Sequence, residues 1–154
     1  MELASINLST IKTIEHNGKQ VSTGIFKQPT TGSVYVGKYN LEGDKQADLK
    51  NHGGRNKAVY GFSQDHYSYW ASVLNNPHLK PGAFGENLTI AGLDESQIHI
   101  GDQFRLGECL LEVSQPRVPC FKLGIALNNS DIPRLFTEQG ETGVYFRVIE
   151  EGPI

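Results

Sequence analysis

The sequence predicts a mainly β (α+β) protein, an antiparallel, barrel-like sheet with about three peripheral helices. Three observations predict it. Short runs rich in β-branched and aromatic residues recur along the chain, each bounded by Gly, Asn or Pro. Strands and helices do not alternate in the regular rhythm of a parallel sheet. Seventeen glycines and seven prolines in 154 residues supply many tight turns.

The expected strands are Leu3–Leu8, Ser33–Tyr39, Lys57–Phe62, Asn87–Ile90, Asp102–Leu106, Cys109–Ser114 and Val144–Ile149. Gln103 to Val113 reads as a hairpin turning at Gly107-Glu108. Ser63 is placed to cap a helix running to about Leu74, with Tyr67, Trp70, Ala71 and Leu74 at helical spacing and His66 on its surface. A second helix follows Pro119 through Leu127. A third starts at Asp131, carries Pro133 early, and ends near Gly140.

Bulk properties bound the function. The length fits one domain, residues 1–154, with a real core. The N-terminus lacks a charged segment followed by an apolar one, so no signal peptide is visible. Spanning a bilayer takes roughly 20 apolar residues, and no run approaches that. The expectation is a soluble, cytoplasmic protein. A formal charge of −3 gives no global field toward nucleic acid or acidic membrane. An anionic ligand must therefore be held by local cations and backbone amides. Two cysteines, Cys109 and Cys120, are too few for a disulfide framework, and Cys109 opens an apolar strand as a core residue.

Cys120 stands apart. In Gln115-Pro116-Arg117-Val118-Pro119-Cys120-Phe121-Lys122-Leu123, Pro119 fits a first helical position, which places Cys120 in the first turn. Unpaired backbone N–H groups, the helix dipole, Arg117 and Lys122 all favour thiolate there. A thiolate attacks carbonyls, carries sulfur or binds metal, and spacing alone leaves those three open.

Other segments offer partners. His52 and Lys57 flank Gly53-Gly54, a turn able to hold a phosphate or polarised oxygen, although the spacing is not that of a P-loop. Asp44, Asp48 and His52 are spaced by fours, but the glycines after His52 disfavour a long helix and hence a carboxylate–imidazole metal site. Asp44 is expected to order the turn after Gly43, and Asp48 to face solvent. Glu86-Asn87 offers an acceptor and an amide at a strand edge. Arg117 reads as an anion binder. No G-x-S-x-G elbow is present, whereas a Cys120–His52 hydrolase pair needs only spatial proximity.

Together these segments resemble the MOSC family, named for the C-terminal domain of molybdenum cofactor sulfurases, and within it the stand-alone bacterial YiiM-like branch. The matching residues are Thr23-Gly24-Ile25-Phe26-Lys27, Leu41-Glu42-Gly43-Asp44 with Gln46-Ala47-Asp48, and His52-Gly53-Gly54 with Lys57-Ala58-Val59. Further on come Gly82, Phe84-Gly85-Glu86-Asn87-Leu88, Ile100-Gly101-Asp102, Pro116-Arg117, Pro119-Cys120, Lys122-Leu123, and Gly143 with Tyr145 and Arg147-Val148. The likeness covers about residues 3 to 152. It departs at Asn56, where many relatives carry an acidic residue, and at Ile154, short of the C-terminal extension of longer members. No pyridoxal-phosphate desulfurase domain precedes it, so full sulfurase activity is not implied.

The resemblance implies a β-barrel-rich domain binding the molybdenum cofactor, a pterin dithiolene with a phosphate tail, with Cys120 as the protein ligand to molybdenum. It implies reduction of N-hydroxylated bases and amidoximes to amines, with electrons from a separate redox protein. Thr23, Lys27, Gly43, the His52-Gly53-Gly54 turn, Lys57, Asn87, Arg117 and Lys122 would hold the cofactor. Asp44 and Glu86, with Asn87, would contact the pterin or position a proton donor. Two alternatives use Cys120 differently: a sulfur or cofactor carrier bearing a persulfide, and a Cys–His hydrolase.

Overall fold

Alternation along the strands divides the apolar residues between two faces of one sheet. The computed structural model describes residues 1–50 and 52–154. In chain order the strands are β1 (Glu2–Leu8), β2 (Lys12–His16), β3 (Lys19–Thr23), β4 (Gln28–Pro29), β5 (Tyr35–Val36), β6 (Val59–Ser63), β7 (Leu88–Ala91), β8 (Gln103–Leu106), β9 (Cys109–Pro116), β10 (Val144–Glu150) and β11 (Gly152–Pro153). The helices are α1 (Tyr67–Val73), α2 (Phe121–Ala126) and α3 (Ile132–Gln139). Seven strands form a curled sheet in the order β4-β1-β7-β6-β10-β9-β8. The expected mainly β fold with three helices is observed.

Cys109, Leu111 and Val113 of β9 face inward with Val144, Phe146 and Val148 of β10, as a period of two requires. Val59, Leu88 and Ala58 join them in this half-barrel core. Gly61 of β6 opposes the Phe146 ring, which would lie 2.7 Å from a Cβ at that position, so the ring occupies the space a side chain would need. The opposite face carries Tyr60 and Phe62 of β6, which pack with Trp70 of α1, Phe84, Leu123 of α2, and Ile132 and Phe136 of α3. Tyr145 of β10, out of phase with its inward neighbours, reaches this second face and tilts against Tyr60 at 5.3 Å.

Several expectations needed revision. The sheet is antiparallel except for β6 and β7, which run parallel because the intervening chain, including α1, crosses over between them. Within Ser33–Tyr39 the strand itself is only Tyr35–Val36, paired with β11, and Val34 extends the pairing by exchanging backbone hydrogen bonds with Ile154. Lys57 lies in a 3₁₀ turn, Arg55–Lys57, ahead of its strand. Ser63 accepts from the Asp65 backbone N–H at 3.4 Å, capping a 3₁₀ turn (Gln64–His66) that precedes α1. His66 is not on an open surface: its ring packs on Phe62 at 5.7 Å.

The hairpin β2–β3 was not anticipated. Its turn, Asn17-Gly18, has φ of 52° and 73°, the left-handed pair that a two-residue hairpin turn of this hand requires. The Gly107-Glu108 turn forms as expected, with Leu106 paired to Cys109. Among the described residues no helix is long and apolar enough to cross a membrane.

Candidate functional site

Where β9 ends, the chain turns across the second face and delivers Arg117 and Cys120 to one cavity. Its walls include eight predicted residues: Thr23, Lys27, His52, Lys57, Asn87, Arg117, Cys120 and Lys122. Residues separated by nearly one hundred positions therefore meet.

Cys120 is the residue preceding α2, with extended backbone (φ −124°, ψ 174°), and Phe121 is the first helical residue. The helix therefore starts two residues later than expected, and Cys120 precedes its first turn. The Lys122 backbone N–H lies close enough to favour an anionic sulfur without closing a cap hydrogen bond. Burial opposes ionisation of Cys120, but the His52 imidazole, that N–H and the Arg117 charge together hold the thiol below its ordinary value. The Cys120 sulfur in turn raises the proton affinity of His52, against the effect of its burial. Its Nδ1 lies 3.3 Å from Asp48 Oδ2, and its backbone N–H donates to the Asp48 carbonyl at 2.8 Å. Asp48 is thus half-buried beside His52, where solvent exposure had been expected. Cys109 behaves oppositely: fully buried in the half-barrel core, its thiol is pushed up to about 11.

Arg117 is buried, yet Nη1 donates to neutral acceptors, Tyr60 Oη at 2.9 Å and the Phe84 carbonyl at 2.8 Å. Its guanidinium also lies over the Tyr60 ring, 4.5 Å from the centroid. These contacts fix its position without cancelling its charge, which reaches Cys120. Lys57 Nζ sits 5.7 Å from the Tyr145 centroid, and Lys122 Nζ donates to the Ser22 carbonyl at 3.1 Å.

Asp44 and Glu86 are placed beneath the cavity, not on its wall. Asp44 accepts from Lys27 Nζ at 2.8 Å on both oxygens, from Ser9 N–H at 2.8 Å and from Asn87 Nδ2 at 3.0 Å. Burial lowers the proton affinity of Lys27 while Asp44 sustains its charge. Lys27 reaches the cavity wall with that charge already matched. Asn87 continues the network, its Oδ1 accepting from the Tyr60 N–H at 3.1 Å. Glu86 is wholly buried and accepts from Tyr67 Oη, Gly82 N–H (2.8 Å), Phe84 N–H (3.1 Å) and Thr89 Oγ1 (2.8 Å). Burial raises its proton affinity against these four donors.

Gly24 and Gly85 line the cavity, whereas Gly43, Gly53 and Gly54 lie off its wall. Gly43 and Gly54 adopt φ of 85° and 86°, and a Cβ on Gly53 would lie 2.5 Å from Gln46 Oε1, so that glycine closes the loop against Gln46. Asp44, Asp48 and His52 share no helix, and among the described residues no three His, Cys, Asp or Glu side chains are grouped to hold a metal ion.

Four residues of the cavity wall, Tyr60, Tyr145, Lys45 and Gln46, were given no role from the sequence, although Gln46 and Tyr145 stood among the motif residues. The phase of β10 was the available signal for Tyr145: its neighbours Val144 and Phe146 point to the core.

Comparison with known proteins places this geometry. The MOSC domain model matches residues 48–154. YflK of Bacillus subtilis (strain 168) is 47% identical over 150 residues, covering 97% of this chain and 67% of that protein. A protein of Gibberella moniliformis named "Reductase" is 36% identical over 140 residues, covering 89% of this chain and 25% of its own length. The crystal structure of YiiM from Geobacillus stearothermophilus superposes with a TM-score of 0.81 at 37% identity, covering 99% of this chain and 70% of that one. The chain spans about two thirds of the length of these bacterial relatives. With the family model matching well over half its residues and the fold shared throughout, the chain belongs to the MOSC domain family.

Proposed function

We propose that this chain, acting as one domain in the cytoplasm, is a MOSC-type oxidoreductase that binds the molybdenum cofactor through Cys120 and reduces N-hydroxylated compounds. The observation that carries the reading is the setting of Cys120: a half-buried sulfur held toward thiolate by His52 and Arg117 on a cavity wall with Lys57 and Lys122. MOSC domains in general are associated with this cofactor, and one relative carries the name reductase.

The donor set fits the group. A soft thiolate suits a metal already bound to sulfur, and Lys57, Lys122 and Lys45 supply cations for a phosphate tail in an otherwise acidic protein. When bound, the cofactor supplies two-electron reduction. The overall change is R–NHOH + 2e⁻ + 2H⁺ → R–NH₂ + H₂O, the electrons coming from a separate redox protein. The chain's own residues bind and orient. Arg117, seated on Tyr60, favours negative charge at Cys120, and the Asp44–Lys27–Asn87 network keeps the floor rigid. Asp44 and Glu86 act as support for the walls, and Thr23 and Asn87 as wall contacts.

Reduction of a hydroxylaminopurine or an amidoxime by cofactor-loaded protein, driven by a chemical electron source, tests this. Activity lost in Cys120→Ala and kept in Cys109→Ala supports it. Loaded protein that reduces neither substrate contradicts it.

A second reading rests on the contact chain Cys120–His52–Asp48. An imidazole between a thiol and a carboxylate suits thiolate chemistry, as a persulfide carrier or as a hydrolase. Transferable sulfur on Cys120 in metal-free protein supports the carrier. Ester or amide hydrolysis abolished by His52→Ala supports the hydrolase.

A further inference from the structure

The cavity beside Cys120 encloses about 90 Å³, whereas sites for organic ligands enclose roughly 300–1,000 Å³. A wall must move before a ligand of cofactor size enters. Most of the wall is firmly held. Tyr60 and Tyr145 stand on central strands, Lys27 and Asn87 are pinned through Asp44, and Arg117 is bound to Tyr60 and Phe84.

The β2–β3 hairpin differs. Among the described residues it pairs with no other strand, and its residues 10 to 22 contribute to neither apolar cluster. A lone two-stranded ribbon has little stability of its own. Its feet are fixed: Ser9 N–H donates to Asp44 at 2.8 Å, Ser9 Oγ to the Gly24 carbonyl at 2.5 Å, and Lys45 N–H to the Ser9 carbonyl at 2.9 Å. Beyond the feet, Lys12 Nζ of β2 lies over the Phe26 ring at 5.5 Å, and the other contacts run to the two residues that follow Cys120. Lys122 Nζ donates to the Ser22 carbonyl at 3.1 Å. The His16 ring stacks on Phe121 at 5.6 Å and 23°. A groove of about 310 Å³, lined by both rings, runs beside that stack, so the tip is only lightly seated on α2.

We propose that the β2–β3 hairpin is a lid over the Cys120 cavity, hinged where Ser9 and Gly24 are anchored and latched by Lys122–Ser22 and His16–Phe121. Opening swings the hairpin off α2 and widens the cavity between Thr23 and Cys120, and no core contact breaks. The inference rests on the reading that the cavity takes an organic ligand, but not on molybdenum.

Alkylation of Cys120 in cofactor-free protein tests it, with iodoacetamide as the small reagent and a pyrene maleimide as the bulky one, and the modified residue located by mass spectrometry. In the wild type the bulky reagent waits for opening. His16→Ala removes one aromatic stack and leaves Phe121 in place, so it speeds the maleimide about three- to tenfold and iodoacetamide much less. Equal effects on both reagents, or none on either, overturn the lid. Hydrogen exchange on the wild type gives a second readout that no substitution disturbs. After maleimide modification, residues 10–23 lose protection while β6 and β10 keep theirs. An unchanged hairpin overturns the proposal. Molybdenum content is measured separately: protein without molybdenum but with gated labelling keeps the lid and removes the cofactor reading, and molybdenum with ungated labelling does the reverse.

Discussion

Two cysteines of one chain meet opposite physics. Cys109 is sealed among Leu111, Val113 and the β10 side chains, and its thiol is pushed up. Cys120 has His52, the Lys122 N–H and Arg117, which together outweigh its desolvation. A free thiol titrates near about 8.5. Because the folded value of Cys120 is lower, thiolate forms at lower pH, and its alkylation in cofactor-free protein has a midpoint below that figure. His52→Ala removes the imidazole's support and moves the midpoint upward. For stability the signs oppose. The lowered Cys120 contributes above the unfolded thiol value and loses that contribution as pH falls through its folded value. The raised His52 contributes fully below about 6.5 and loses it as pH rises through its folded value. Asp44 makes a larger demand. Asp44→Ala leaves the Lys27 ammonium buried and unmatched, a loss of about 3–5 kcal/mol measured by urea unfolding. Asp44 and Glu86 stood out in the sequence as acidic residues in glycine-rich loops, a pattern shared by site and support. The partners of Asp44 lie at long range, Asn87 being 43 positions away, and no local spacing carries that information, whereas Glu86 is held mainly by its own loop through Gly82, Phe84 and Thr89.

At the scale of elements, periodicity was legible wherever a strand buries one face. The alternation of Cys109, Leu111 and Val113 specified β9, and Pro116 marked its end. The short helix after Cys120 was foreseen, but Pro119 was assigned the position that Phe121 holds, a boundary shift of two residues. The β2–β3 hairpin escaped because its apolar content is thin: Ile14 and Val21 pair across it and little else is apolar. The Asn17-Gly18 turn was its clearest signal. A Cβ on Gly18 meets nothing within 4 Å, so Gly18→Ala meets no clash and the cost is the left-handed backbone alone, about 1–2 kcal/mol. That loss stays local. Hydrogen exchange of residues 12–23 quickens, while the main urea transition holds its midpoint.

Over the whole molecule, two apolar clusters back the same sheet and the site lies at the edge of the second. The β-rich class was legible because turn residues and short strands recur from end to end. The convergence on the cavity was legible only through the family's motif residues, since Thr23, His52, Asn87 and Cys120 come from unrelated segments. Tyr60 was passed over as a strand aromatic and Tyr145, though among the motif residues, was given no role; strand phase turns both away from the half-barrel core. The second cluster is the rigid backing for Tyr60 and Arg117. Phe62, fully buried against Phe84 at 4.7 Å and Phe136 at 5.4 Å, is its centre. Phe62→Ala therefore costs about 3–5 kcal/mol in global unfolding. The central claim concerns the sulfur at that edge, and metal analysis tests it most directly. Protein made in a molybdenum-replete host is expected to hold near-stoichiometric molybdenum, lost in Cys120→Ala and kept in Cys109→Ala. Wild-type protein that holds none, or a Cys120→Ala variant that holds as much as the wild type, contradicts the account.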